Sequence, residues 1–204
     1  MVVVEPNAAG ADRLIEPLVA ALDRLLKPRT IVISGDGPAR TLEGLAPVYR
    51  IAVGSLDGVI ELQEHGARFL ADLAEGQKTG WFYDQRDNRL LTARFAKDAD
   101  VLDLYSYSGG FGVQAARHGA KSVLTVDRSQ PALELARRAA ALNDVAARHA
   151  TENAEAFGFL EQAGAAHRTF DLVVADPPAF VESRKDFHQG GRAYRKLARL
   201  TGGR

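Results

Sequence analysis

The segment Val101-Leu102-Asp103-Leu104-Tyr105-Ser106-Tyr107-Ser108-Gly109-Gly110-Phe111-Gly112 constrains the fold of this chain more than any other. A short apolar run reaches an acid, passes through a serine- and glycine-rich turn, and opens an amphipathic stretch. That is a buried strand feeding a helix, and it predicts an open α/β sheet with a ligand at its strand ends. Free backbone N–H groups at such a helix start attract a carboxylate or a phosphate. Asp103 narrows the choice. Its carboxylate would repel a pyrophosphate but hold an ammonium group, directly or through water. S-adenosylmethionine carries both an ammonium and a carboxylate on its methionine end, and fits better than a dinucleotide. The dinucleotide alternative rests on Gly110, Gly112 and Ala115, which satisfy the permissive G-x-G-x-x-A spacing, although Tyr105 to Gly109 separate them from the strand. A glycine turn that binds nothing is the plain structural alternative.

From residue 101 onward the pattern is regular. Strands are expected over 101–104, 122–126, 149–151 and 170–175, and helices over 110–118, 131–143 and 154–163. The alternation implies a doubly wound parallel sheet with right-handed crossovers. Upstream, 12–26 carries Leu14, Ile15, Leu18, Leu22, Leu25 and Leu26 at helical spacing, with Pro17 near its start and Pro28 closing it. Short strands are expected over 30–34, 48–53 and 58–63, with turns at Gly35-Asp36-Gly37-Pro38 and Leu56-Asp57-Gly58. Within 67–80 a strand is expected. Over 84–95 a helix should place Leu90, Leu91 and Phe95 on one face and leave Arg86, Arg89 and Arg94 elsewhere. The expected organisation is a small α+β subdomain over 1–66 and a Rossmann-like domain over 67–204.

Three strands in succession carry an acid at or near their C-terminal ends: Asp103, Asp127 and Asp176. All three fall on the sheet edge where ligands bind in such folds. Any one of them alone could be a helix cap. Asp127 lies about where a second-strand acid accepts a ribose hydroxyl, roughly 20 residues past the glycine turn. In Asp176-Pro177-Pro178-Ala179-Phe180, two prolines fix the backbone and remove two donors, leaving a rigid turn with exposed carbonyls. Carbonyls and a carboxylate can receive the amino group of a base, and Phe180 offers a stacking surface; the alternative is a Phe180 ring buried in the core.

Composition excludes other classes. The chain has 204 residues, no cysteine and zero formal net charge. There is no disulfide framework or thiolate metal site. His65, His118, His149, His167 and His188 lack metal spacing, so no metal is expected. No apolar run reaches the ~20 residues of a membrane span, and the start lacks a signal-peptide pattern, so a cytoplasmic protein is expected. Zero net charge argues against a dominant nonspecific grip on nucleic acid. Yet Arg184, Lys185, Arg192, Arg195, Lys196, Arg199 and Arg204 face only Glu182 and Asp186 after residue 180. That cluster is either a solvated helix face or a phosphate-contacting rim.

Three runs in order carry a family resemblance: Gly76-Gln77-Lys78-Thr79-Gly80-Trp81-Phe82-Tyr83-Asp84-Gln85-Arg86-Asp87-Asn88-Arg89, then Tyr105-Ser106-Tyr107-Ser108-Gly109-Gly110-Phe111, then Asp176-Pro177-Pro178-Ala179-Phe180. They resemble the class I S-adenosylmethionine-dependent methyltransferases of large-subunit ribosomal RNA, chiefly the cytosine 5-methyltransferases. The match runs from about Glu64 to Leu200. The resemblance implies that Lys78, Thr79, Gln85 and Arg86 enclose the methionine end of S-adenosylmethionine. It also implies that Asp103, Ser106, Gly109 and Phe111 bind the cofactor in the glycine turn, Asp127 its ribose, and Glu155 with Ala156 its adenine. Asp176, Pro177 and Phe180 would face the methyl group and an RNA base. Two departures stand out. The family usually carries an N-terminal PUA domain, and its cytosine-modifying members use a cysteine after the Asp-Pro-Pro run; neither is present here. Sheet strands after Phe180 are missing as well. The chain is therefore expected to be a fragment of a longer methyltransferase, with a sheet edge at its fourth or first strand open to self-association. The alternatives are a non-catalytic module that holds S-adenosylmethionine or RNA, and an NAD-dependent oxidoreductase.

Overall fold

A computed structural model describes residues 1–56, 58–73, 80–181 and 184–202. The chain divides into two units, Met1–Gly58 with Leu73–Gly80, and Val59–Asp72 with Trp81–Arg204.

The first unit runs β1 (Val2–Val4), α1 (Ala9–Arg13), α2 (Ile15–Leu26), β2 (Ile31–Gly35), α3 (Pro38–Leu42) and β3 (Val48–Val53). The β-branched run Ile31-Val32-Ile33 is wholly buried because β2 is the middle strand, parallel to β1 and antiparallel to β3. Ile15 and Val19 of α2 close on Ile31 and Ile33, with Leu22 beside them. The expected leucine stripe is mostly on the outside: Leu14, Leu18, Leu25 and Leu26 are exposed. A three-stranded sheet covers one narrow helix face, and the Ile15–Val19–Leu22 face is the one it takes. Arg40 of α3 is buried but fully engaged, donating to the carbonyls of Pro6 and Ala46 and to Asp12.

In the second unit, β4 (Val59–Glu64) and β5 (Ala67–Asp72) form an antiparallel hairpin. Its two-residue turn, His65-Gly66, has both residues at positive φ, as a type I′ turn requires. A boundary at residue 66 would cut this turn, and both strands belong to the second unit. The chain continues through a 3₁₀ turn (Tyr83–Gln85) into α4 (Arg86–Ala93), then β6 (Asp100–Leu104), α5 (Gly110–Arg117), β7 (Ser122–Asp127) and α6 (Gln130–Leu142). It ends with β8 (His149–Asn153), α7 (Ala156–Ala165), β9 (Leu172–Ala175) and α8 (Phe187–Thr201).

The four later strands form the expected parallel sheet, in the order β8-β7-β6-β9. Residues alternate between its faces. Val101 and Val123 pack with α5, α6 and the hairpin, while Leu102, Leu104, Leu124 and Val126 pack with α7 and Leu197 of α8. The first strand of this sheet, β6, is internal rather than an edge, because β9 returns to its free side after β7 and β8 have filled the other. The outer strands of this sheet are β8 and β9. Order reverses between β6 and β9, which makes a topological switch point at their C-terminal ends. Among the described residues no helix is long and apolar enough to cross a membrane.

Candidate active site

Asp103, the penultimate residue of β6, sits beside that switch point. Register sets it opposite Thr125 of β7 and Val174 of β9. It lies on the α5 face of the sheet and is 1% exposed. The Gly112 N–H donates to its Oδ2 at 2.8 Å. Oδ1 is buried and has no partner among the described residues. Burial, and secondarily the nearby Asp176 and Asp127 charges, push its carboxyl up to about 7 against the opposing pull of Gly112 N–H and Arg89.

Gly112 shows why the helix can approach so closely. A Cβ there would lie 2.4 Å from Thr125 Cγ2 and 3.2 Å from Asp103 Oδ2. Its lack of a side chain thus serves helix–sheet packing and the hydrogen bond to Asp103, which accounts for the G-x-G spacing without a dinucleotide.

The turn between β6 and α5 has positive φ at every second residue: Tyr105, Tyr107 and Gly109. Two of these are non-glycine, an unfavourable conformation of the kind that concentrates at functional sites. Three N–H groups of the turn are engaged within the protein: Ser106 N donates to Val126 O, Tyr107 N to Asp127 Oδ2 and Gly109 N to Ser106 O. Ser106 Oγ and Ser108 Oγ are buried with no partner among the described residues. The strand end and the turn thus hold three buried polar atoms, Asp103 Oδ1 among them, still able to bond. An ammonium group would complement the Asp103 carboxylate.

Asp127 ends β7 and holds this turn in place. Its Oδ2 accepts from Tyr107 N and its Oδ1 from Ser129 N, each at 2.8 Å. Ser129 in turn caps α6. Each carboxylate oxygen keeps a second lone pair for a hydroxyl. Glu155 caps α7, accepting from Gly158 N at 2.9 Å, with Ala156 buried beneath it. Burial and the Glu155 charge raise the Tyr105 hydroxyl to about 12, so it stays a donor.

The segment after the hairpin closes the other side. Arg89 of α4, expected on the helix surface, is 3% exposed and pairs with Glu64 at 2.7 Å through both Nε and Nη2. It also donates to Phe82 O and stacks 4.4 Å above the Trp81 ring, whose Nε1 donates to Glu64. The Phe82 ring meets Tyr107 edge-on at 6.0 Å, which joins this segment to the glycine turn. Leu91 and Phe95, by contrast, are exposed. No local pattern announces the Arg89–Glu64 pair, since the partners are 25 residues apart on a helix and a hairpin. Gln85 bonds Asn88, and Arg86 opens α4 as an exposed side chain. Lys78 and Thr79 lie outside the described residues.

Asp176 follows β9 directly and is exposed, with its carboxyl raised above the usual range by partial desolvation and by Asp84. Asp84, which sequence reasoning did not single out except within a run, thus belongs to the same neighbourhood. Phe180 is only partly open. Its ring packs against Tyr194, Phe157 and Tyr105 at 4.8, 5.9 and 6.4 Å, and its N–H donates to Tyr194 OH. The structure so gathers Asp103, Ser106, Gly109, Asp127 and Asp176 at one end of the sheet. Phe180 stands in an aromatic cluster that leaves part of one ring accessible. Among the described residues no group of acids and histidines could hold a metal.

This arrangement has counterparts. Residues 51–202 match the family model of S-adenosylmethionine-dependent methyltransferases. A protein of Alteromonas mediterranea named ribosomal RNA large subunit methyltransferase I is 38% identical over 163 residues, 79% of this chain and 41% of that protein. Its namesake in Pseudoalteromonas atlantica is 33% identical over 202 residues, covering 98% of this chain and 51% of that protein. The chain thus spans about half the length of the curated relatives it matches. A protein from Streptococcus mutans assigned as a SAM-dependent methyltransferase shares the fold, with a TM-score of 0.77 at 24% identity over 95% of this chain and 49% of that one. The parallel sheet, the glycine turn at its switch point and the match over 51–202 agree: this chain belongs to the S-adenosylmethionine-dependent methyltransferase family.

Proposed function

We propose that this chain carries the cofactor-binding part of an RNA methyltransferase, acting on a base of large-subunit ribosomal RNA in the cytoplasm. The observation that carries the reading is the trio of buried polar atoms without partners among the described residues, Asp103 Oδ1, Ser106 Oγ and Ser108 Oγ, at a turn with positive φ at Tyr105, Tyr107 and Gly109. S-adenosylmethionine supplies an already activated methyl group. The protein's task is then alignment. Asp103 would hold the ammonium, the turn and Phe111 the rest of the methionine end, Asp127 the ribose, and Glu155 with Ala156 the adenine. Lys78, Thr79, Gln85 and Arg86 would close over the methionine end. Asp176 and Pro177 would present a carboxylate and a carbonyl to the acceptor base, with Phe180 beside it. A base paired within a duplex cannot reach such a site, so the acceptor is single-stranded or flipped out. The names of the relatives support ribosomal RNA as substrate.

Cytosine carbon 5 is a poor nucleophile without an adjacent thiolate. These 204 residues contain no cysteine, so carbon-5 transfer needs a thiolate from outside them.

Titration calorimetry with S-adenosylhomocysteine and with NAD tests the cofactor. Binding of the first and not the second is expected, and tighter NAD binding would overturn the reading. Transfer of labelled methyl to unmodified large-subunit RNA, followed by nucleoside analysis, identifies the base. Activity on protein but not RNA would overturn the substrate class.

A further inference from the structure

We infer that the cationic face of α8 is the track that holds the phosphates of a single-stranded RNA whose acceptor base lies at Asp176-Pro177-Pro178. The inference rests on the RNA reading above and adds the surface that takes the strand. Helix α8 contains Arg192, Arg195, Lys196 and Arg199 and no acid. At about 100° per residue these four share one side of the helix, away from Gly190 and Leu197, its buried residues.

The helix is held in register with the Asp-Pro-Pro loop. A Cβ on Gly190 would lie 2.3 Å from Phe180 O, so the helix backbone rests directly on the loop. Tyr194 OH accepts from Phe180 N at 3.2 Å, and Leu197 anchors the next turn in the core. The cationic side is thus fixed relative to the loop that would present the base.

Three of the cations are available. Lys196 pairs with Glu161 at 2.7 Å and lies over Phe157. Arg192, Arg195 and Arg199 are exposed, and none has an ion-pair partner among the described residues. Arg195 Nε donates to Gly191 O, and its terminal nitrogens have no hydrogen-bond partner among the described residues. At about 1.5 Å per residue, Arg192 to Arg199 spans roughly 10 Å, the length of a few nucleotides. Phe187 and Tyr194, 65% and 43% exposed, lie on the other side of α8, the side that carries Gly190 and Leu197. The strip therefore supplies charge along a strand's backbone, and stacking of a base is left to the loop that carries Phe180. A cleft of about 310 Å³ between this helix and the loop is lined by Ala179, Phe180, Asp186, Gln189, Gly190 and Ala193. An RNA strand is favoured over an acidic peptide because the strip is carried by the helix tied to the loop of the proposed acceptor site. Because the chain's net charge is zero, this local strip and not a general field must supply the attraction.

The test is fluorescence anisotropy of a short labelled single-stranded RNA across a salt series, with the 204-residue chain and the triple variant R192Q/R195Q/R199Q. Each lost phosphate contact should flatten the slope of log K against log salt by about 0.7, so the variant should be shallower by about 2. S-adenosylhomocysteine affinity, measured alongside, should stay unchanged and reports that the fold is intact. The R192K/R195K/R199K variant should keep the wild-type slope, because counterion release counts charges. A wild-type slope in the glutamine variant with intact cofactor binding would overturn the track. Equal loss in the lysine variant, or tighter binding of duplex RNA than of single strands, would also overturn it. These results would leave the cofactor reading standing. Failure of the wild-type chain to bind S-adenosylhomocysteine would defeat that reading and this one together.

Discussion

Gly112 N donates to Asp103 Oδ2 at 2.8 Å, while the other carboxylate oxygen is buried and has no partner among the described residues. A carboxyl in such a place holds its proton until about 7. It ionises readily only when a cation arrives. Affinity for S-adenosylhomocysteine is therefore expected to fall as pH drops below about 7, by up to tenfold per unit, with the fall abolished in Asp103→Asn, which binds weakly throughout. Calorimetry from about pH 6 to about pH 8 checks this. A flat profile in the wild-type chain would remove Asp103 from the ammonium site.

Gly112→Ala places a methyl group within 2.4 Å of Thr125 Cγ2. The clash should destabilise the fold by about 1–3 kcal/mol. Thr125→Ser removes that methyl while keeping the hydroxyl that donates to Ala150 O. The double variant should recover part of the loss, read as denaturation midpoints in a double-mutant cycle. Additive effects would mean that the helix shifts instead.

Asp127 does two jobs, tethering the turn through Tyr107 N and, in the proposed function, receiving a ribose hydroxyl. Asp127→Ala should weaken cofactor binding by about 1–3 kcal/mol. The loss should be larger for S-adenosylhomocysteine than for methionine alone, which has no ribose. Equal losses would assign Asp127 to the turn only.

Much of the sheet was legible because alternating apolar runs and glycine turns are local signals. Val101 to Gly112 alone places a strand, a turn and a helix start. Asp103, Asp127 and Asp176 converge because parallel strands bring their C-terminal ends to one edge. What remained hidden depends on partners distant in sequence. The α2 leucines look like a core stripe, yet the sheet takes the Ile15–Val19 face. Arg89 reads as a surface cation until Glu64 arrives from the hairpin. Phe180 reads equally as a stacking surface or a core ring, and Tyr105, Phe157 and Tyr194 give it some of both characters.

Glu64 and Arg89 form a buried pair in which the Glu64 carboxylate accepts three hydrogen bonds and the Arg89 guanidinium donates three. Burial alone would raise the Glu64 carboxyl, but the hydrogen bonds from Arg89 and Trp81 outweigh it and hold the carboxyl low. Glu64→Gln leaves the guanidinium buried without its counter-charge, which should cost about 3–5 kcal/mol. The denaturant midpoint should fall at neutral pH, and replacing both partners with apolar residues should cost less than the single change. A larger loss in the double variant would contradict this account of the pair.

Asp103 and His149 tilt stability against pH in opposite directions. Asp103 holds its proton to about 7 in the fold, so between its unfolded value near 3.8 and 7 the folded chain binds the extra proton. Its contribution therefore falls as pH rises through that window. Burial lowers His149 to about 4 from 6.5, and both ring nitrogens lack partners among the described residues. There the unfolded chain binds the extra proton, so stability is complete above 6.5 and is lost as pH falls toward 4. Between about 4 and 6.5 the two slopes offset each other, and the wild-type melting temperature should vary little from these groups. Asp103→Asn should then become less stable as pH is lowered through that range, relative to its own value at neutral pH. His149→Gln should show the reverse, gaining stability as pH falls. Melting curves of the three proteins from pH 4 to 8 (about the span of both titrations) separate the contributions. Parallel curves for all three would show that neither group titrates differently in the folded and unfolded chain.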